Sequence, residues 1–227
     1  MYYDAHCHFS LLKKAYNGFI IAAVSMDYQS SAETLSLKSD KVLAGVGIHP
    51  WNVHLEDLKR VEPLISSADF IGEVGLDYRF AKADKEKQKE YFTFFARKAY
   101  ELNKLINVHA LDAWRDALDI LLKEGVKRAI FHWYSGPEDL LKDIEGAGYF
   151  ITINPSVTFQ NKHRRIAERA SLEVLLTESD GGYDYRGKLL EPSDIVGLVS
   201  FLSKLKGVDE AELLKVVERN FRRAFFG

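Results

Sequence analysis

Two histidines one residue apart, a glutamate between glycines, two further histidines and an aspartate follow one another along the chain: His6 and His8, Glu73, His109, His132 and Asp180. Each stands at the end of a short apolar run. Mixed imidazole and carboxylate ligands suit Zn, Mn, Fe or Ni, and a carboxylate-rich position also suits Mg. In an extended segment residues two apart share a face, so Asp4, His6 and His8 point together while Ala5 and Cys7 point away. Two imidazoles so placed grip one cation. Asp4, a layer deeper, is expected to orient an imidazole, and Cys7 to fill core space.

In Phe70-Ile71-Gly72-Glu73-Val74-Gly75-Leu76-Asp77 the flanking glycines allow a metal or a neighbouring backbone to come close to the carboxylate. Glu73 has two oxygens and is the candidate to bridge two cations; the alternative is a buried ion pair. Asp77 is read as a ligand or as a loop-capping group. A lone strand-end histidine is more often structural, but His109 and His132 stand in phase with the first pair and are read as ligands. Asp180 is suited both to bind metal and to take a proton from water, while Glu178, one layer below on the same face, is expected to make buried hydrogen bonds. His49, in Gly47-Ile48-His49-Pro50, is read as a substrate or phosphate contact, or else as structural. His54 and His163 are expected on the surface, and the basic run 162–165 on a solvated helix face.

Residues so far apart meet only if one scaffold brings every strand end to the same place. Strands are expected at 2–5, 19–24, 42–46, 69–71, 104–108, 128–131, 149–153 and 173–176. Helical periodicity is expected at 86–102, 113–123, 138–145, 164–170, 193–205 and 210–221, with Pro137 and Pro192 as helix-start prolines. The functional positions recur mostly about every 25 residues, one strand–helix unit of a (β/α)8 TIM barrel, whose strands all finish at one mouth. A doubly wound open sheet is the second choice. Five prolines and no Ser/Gly-rich linker suggest one domain over 1–227.

Composition narrows the function. The chain has 227 residues, 47% hydrophobic and 28% charged, with net charge −2. That balance gives no general attraction to polyanions or acidic membranes. The single cysteine rules out an internal disulfide framework and points to a reducing, cytoplasmic setting. The polar start does not read as a signal peptide, and no apolar run is long enough to span a membrane.

In series, Asp-x-His-x-His at 4–8, Gly-Ile-His-Pro at 47–50, Gly-Glu-x-Gly-Leu-Asp at 72–77, His109, His132 with Gly136, Glu-x-Asp at 178–180 and Arg186-Gly187 before Pro192 resemble the TatD family of metal-dependent hydrolases, within the amidohydrolase superfamily. The resemblance implies a barrel, two divalent ions and hydrolysis of phosphodiesters, most often as a deoxyribonuclease. The chain departs from the family pattern at Leu111, where an arginine is usual, at Gly181-Gly182, and at Trp133-Tyr134.

The expected site places His6, His8 and Asp180 on one ion, His109 and His132 on the other, and Glu73 between them. A hydroxide formed at the ion pair would attack phosphorus. One alternative keeps the metals but cleaves a carboxylic ester, lactone or amide. Another is a non-catalytic binding protein with a degenerate site. No obligatory protein partner is evident.

Overall fold

The computed structural model describes residues 1–12 and 14–227. Strands and helices alternate: β1 (Tyr2–Cys7), β2 (Phe19–Ala23), α1 (Tyr28–Ser36), β3 (Val42–Val46), α2 (Leu58–Ile65), β4 (Phe70–Asp77), α3 (Lys85–Glu101), β5 (Ile106–Leu111) and α4 (Trp114–Lys123). They continue as β6 (Ala129–Phe131), α5 (Glu138–Gly146), β7 (Phe150–Ile153), α6 (Asn161–Arg169), β8 (Leu175–Thr177), a small hairpin of β9 (Asp184–Tyr185) and β10 (Lys188–Leu189), α7 (Asp194–Lys206) and α8 (Glu210–Phe226). No helix among the described residues is long and apolar enough to cross a membrane.

The first eight strands pair in chain order, every pair parallel. Cys7 bridges Gly181, the Asp180 N–H donates to the His6 carbonyl at 3.0 Å, and the His8 N–H donates to the Gly181 carbonyl at 2.7 Å. The last strand thereby returns to the first, giving a (β/α)8 barrel. Near-continuous apolar strands are what a parallel sheet needs when helices cover its outer face. The helices bury one stripe each: α3 turns Tyr91, Phe92, Phe95 and Ala99 inward. Truncating either buried phenylalanine to alanine removes about 3–5 kcal/mol of stability.

Several strands run further than expected, and β1 passes Ala5 to Cys7, so His6 lies inside it. β4 continues past Ile71 to Asp77 and β5 past Val108 to Leu111, so Glu73 and His109 lie inside strands. The glycines of β4 look like punctuation in the sequence, but they permit close packing. Gly72 and Gly75 adopt φ +153° and +145°, and a Cβ at either would collide with Asn107 or with the His109 backbone. Helices α1 and α2 were not expected. α1 is polar and is started by the Asp27–Ser30 capping box, while α2 carries Pro63 inside it. α1 therefore lacks a clear apolar signal, and in α2 the internal proline masks a short stripe that buries Val61 and Ile65.

His163 is not on the surface but fully buried, a correction to its expected place. It sits on the inward side of α6. Its Nε2 accepts from the Asn154 N–H at 3.1 Å and its Nδ1–H donates to the Tyr134 carbonyl at 2.9 Å, tying the loop after β7 to the loop after β6. Burial pushes its pKa down to about 4. The folded pKa lies below the unfolded value of about 6.5, so this stabilisation is complete above about pH 6.5 and fades as pH falls toward 4. His163→Leu is expected to cost about 2–4 kcal/mol at neutral pH by orphaning two buried backbone groups. Urea unfolding should show the gap between wild type and variant narrowing in acid. A gap independent of pH would contradict the neutral buried imidazole.

Candidate metal centre

At the C-terminal mouth of the barrel, β1, β4, β5, β6 and the end of β8 bring His6, His8, Glu73, His109, His132 and Asp180 together. The Glu73 carboxylate lies at the centre and is only 2% exposed. Its Oε2 is 3.5 Å from Nε2 of His6 and 3.5 Å from Nε2 of His8. Asp180 Oδ1 closes that group at 3.5 Å from His6 and 3.4 Å from His8. Its other oxygen, Oε1, is 3.0 Å from His109 Nδ1 and 2.9 Å from His132 Nε2, and these two nitrogens are 3.2 Å apart.

These separations suit ligands around a cation. Bonds of about 2.1 Å in a tetrahedral site place ligand atoms about 3.4 Å apart, and the first group matches that spacing. His6 Nε2 and Asp180 Oδ1 are also buried without any hydrogen-bond partner. An unpaired buried polar atom is costly, and a cation seated between these two would satisfy both. Sets of three donors within 4.8 Å of one another include His6, His8 and Asp180, and also His6, Glu73 and His132.

Neighbouring groups fix how the imidazoles face. The Asn107 side chain takes His6 Nδ1 at 2.9 Å and donates its amide to the Ala5 carbonyl at 3.0 Å, leaving the Nε2 lone pair of His6 aimed inward. Asp77 Oδ2 lies 3.2 Å from His109 Nε2 and accepts from Trp51 Nε1 at 2.6 Å, while Oδ1 caps the Arg79 and Phe80 N–H groups. Asp77 therefore holds the loop and orients His109 at once. Asn107 received no role in the sequence reading; its signal is its place two residues before His109, on the same strand face.

Asp4 was expected to orient an imidazole and does not. Its carboxylate accepts from the Ser179 N–H at 2.9 Å, the Ser179 hydroxyl at 2.5 Å and the His6 N–H at 3.3 Å, joining β1 to the end of β8. Pointing into the barrel, it meets the backbone of the adjoining strand before it can reach a ring. Burial raises its pKa to about 7. Glu178 accepts from Thr152 Oγ1 at 2.5 Å and lies 3.6 Å from His132 Nδ1. His49 is buried, with Nδ1 accepting from the Trp51 N–H at 3.2 Å and Nε2 at 3.3 Å from Glu73 Oε1. His54 is exposed.

The electrostatics favour a cation. Burial alone would lower His6, but Glu73 and Asp180 outweigh it and hold the imidazole well above its ordinary pKa. Burial and the nearby His6 lower His132, yet Glu73 carries it up to about 9. Burial would raise Glu73 and Asp180, and the surrounding histidines pull both well below the usual carboxylate range. With all imidazoles neutral, Glu73, Asp77 and Asp180 would leave three buried negative charges. Protons or metal ions must balance them. Asn107→Leu, which frees the His6 ring, is expected to weaken metal binding about 10- to 100-fold. Asn107→Asp should restore most of it, as measured by calorimetric titration with Zn or Mn.

A barrel with carboxylates and imidazoles gathered at its mouth defines a class of metal-dependent hydrolase. Comparison with known proteins gives the family. The model for TatD related DNase matches residues 3–226. An uncharacterized metal-dependent hydrolase of Methanocaldococcus jannaschii, MJ1582, is 31% identical, covering 99% of this chain and 96% of its own. The human protein named deoxyribonuclease TATDN3 is 27% identical, covering 98% of this chain and 93% of its own. The crystal structure of the TatD homologue YJJV from Escherichia coli superimposes with a TM-score of 0.87 at 20% identity, covering 99% and 97% of the two chains. The chain belongs to the TatD family of metal-dependent hydrolases.

Proposed function

We propose that the chain is a two-metal phosphodiesterase acting on DNA, with His6, His8 and Asp180 on one divalent ion, His109 and His132 on a second, and Glu73 shared. One observation carries this reading: the two oxygens of Glu73 face two different sets of donors, Oε2 toward His6 and His8 and Oε1 toward His109 and His132. A single structural ion would not need a carboxylate divided in this way. Zn, Mn, Fe, Ni and Mg all fit the ligand types.

Divalent ions held there supply Lewis acidity to a phosphoryl oxygen and bring the pKa of water toward neutrality. The chain's own groups do the rest. Asp180, kept ionised by His6 and His8, accepts the proton released by the attacking water. Asn107 and Asp77 hold the His6 and His109 rings in place, so the ligands need not reorganise during the reaction. Buried His49, capped by Trp51, shields the Oε1 side of Glu73 from bulk water. The family match and the relative named a deoxyribonuclease support DNA as substrate. The one thiol, buried Cys7, supports a reducing cytoplasmic setting.

Leu111 at the end of β5 favours a second reading, cleavage of a carboxylic ester, lactone or amide, because it offers no cation to a phosphate. Protein loaded with Mn or Zn should be assayed on bis-p-nitrophenyl phosphate, single-stranded DNA, lactones and carboxylic esters. Phosphodiester hydrolysis is expected. Activity confined to the acyl substrates would replace the nuclease reading with the second one. Protein that binds far less than one metal per chain and is not activated by either ion would point to a binding protein instead.

A further inference from the structure

One face of the barrel mouth carries a chain of aromatic rings that the hydrolytic site does not use. It begins at Trp133, directly after His132, whose backbone adopts φ +41°. A bulky side chain seldom occupies that left-handed region, so the surrounding structure must hold it there. The Trp133 ring meets Tyr185 edge-on at 5.2 Å, and Tyr185 lies nearly parallel to Phe159 at 6.1 Å. Tyr183, whose N–H is bonded to the Asp180 carbonyl, lies 6.3 Å from Tyr185. Among the described residues, the Arg186 guanidinium rests on rings, 5.3 Å from Tyr185 and 5.9 Å from Phe159.

Phe159, Tyr185 and Arg186 also line a cavity of about 460 Å³, within the roughly 300–1,000 Å³ of small-molecule sites. Gln160 donates to the Tyr185 hydroxyl at 2.7 Å and fixes that ring on the β9–β10 hairpin. Phe159 is nevertheless 56% exposed. A large exposed aromatic beside a fixed aromatic and a cation has a flat ligand face to offer. Every nucleobase has such a face, and base–aromatic stacking tolerates any sequence. A paired base inside a duplex has both faces covered and cannot enter.

We propose that Phe159, Tyr185 and Arg186 form a clamp for one unpaired nucleobase of the strand whose phosphodiester lies at the metal centre. The clamp rests on the phosphodiesterase reading and narrows it to single-stranded segments or frayed ends. Trp133 joins the clamp to His132, so a base held there belongs to a nucleotide close to the bond being cut. Arg186 adds positive charge for the adjoining phosphate, the feature absent at Leu111.

The test measures binding without turnover. Fluorescence anisotropy of labelled oligothymidylate is followed with the full chain in chelator, beside a blunt duplex of the same length. The single strand should bind at least about tenfold tighter than the duplex. Phe159→Ala and Tyr185→Ala should each weaken it by about 5- to 100-fold. Tyr185→Phe keeps the ring and should bind nearly as wild type, as should Phe80→Ala, an exposed aromatic in the loop after β4. Equal binding by wild type and both alanine variants, equal binding of duplex and single strand, or no binding of the single strand would overturn the clamp. Turnover of bis-p-nitrophenyl phosphate by the metal-loaded wild type is scored separately. Its presence with unaltered strand binding rejects the clamp alone, and its absence with intact strand binding rejects the phosphodiesterase reading alone.

Discussion

Glu73→Ala is expected to lower kcat by at least about 10³-fold and to reduce bound metal below one ion per chain, with the barrel intact. On the two-ion reading proposed above, this substitution withdraws a ligand from both halves of the site. Losing roughly 4 kcal/mol of transition-state stabilisation corresponds to a factor of about 10³. The fold survives because β4 keeps its pairing with β3 and β5, which does not involve this side chain. A second readout separates a lost ligand from general damage. Glu73 is what carries His132 up to about 9, so in the metal-free variant that imidazole should titrate well below this value by NMR. His109→Ala should lose activity in the same way while sparing the His6–His8–Asp180 group. Wild-type turnover in either variant would reject the ligand assignment.

Metal removal is the second large effect. Chelated protein is expected to be inactive, and Mn or Zn to restore it. The pH dependence follows from the imidazoles. In the metal-free state Glu73 and Asp180 hold the His6 pKa well above its ordinary value, and that of His132 reaches about 9, so both rings carry protons at neutral pH. A ligand must be deprotonated to bind, so metal uptake expels those protons. Apparent affinity should therefore rise with pH through the neutral range, by about tenfold per unit for each proton displaced. Calorimetry in two buffers of different ionisation enthalpy counts the protons. Affinity that is flat between about pH 6 and 8 would show that the cation sits elsewhere.

The barrel was legible because its strands are buried on both faces and read as bare apolar runs between turn signals. Eight such runs at a steady interval leave few other closures. The cluster at the mouth was legible for a related reason: a histidine or carboxylate ending an apolar run is out of place unless a ligand or partner awaits it. Three things were hidden. The length of β4 was hidden because Gly72 and Gly75 bring no side chain to continue the apolar run, although Asn107 and the His109 backbone fill the space a Cβ would take. The partners of Asp4 and Asn107 were hidden, because strand alternation tells which face a side chain uses but not which neighbouring strand it meets. His163 was misplaced because a charged-looking run, Lys162 to Arg165, conceals an inward position on the helix face that also buries Ile166 and Ala167.

The seam where Cys7 meets Gly181 joins the first barrel strand to the end of the last. His6 and His8 stand on one side of it and Asp180 on the other. During synthesis Asp180 therefore emerges about 170 residues after the first pair of imidazoles that it faces across the seam. A chain cut before its eighth strand keeps Glu73, His109 and His132 but leaves His6 and His8 without that companion.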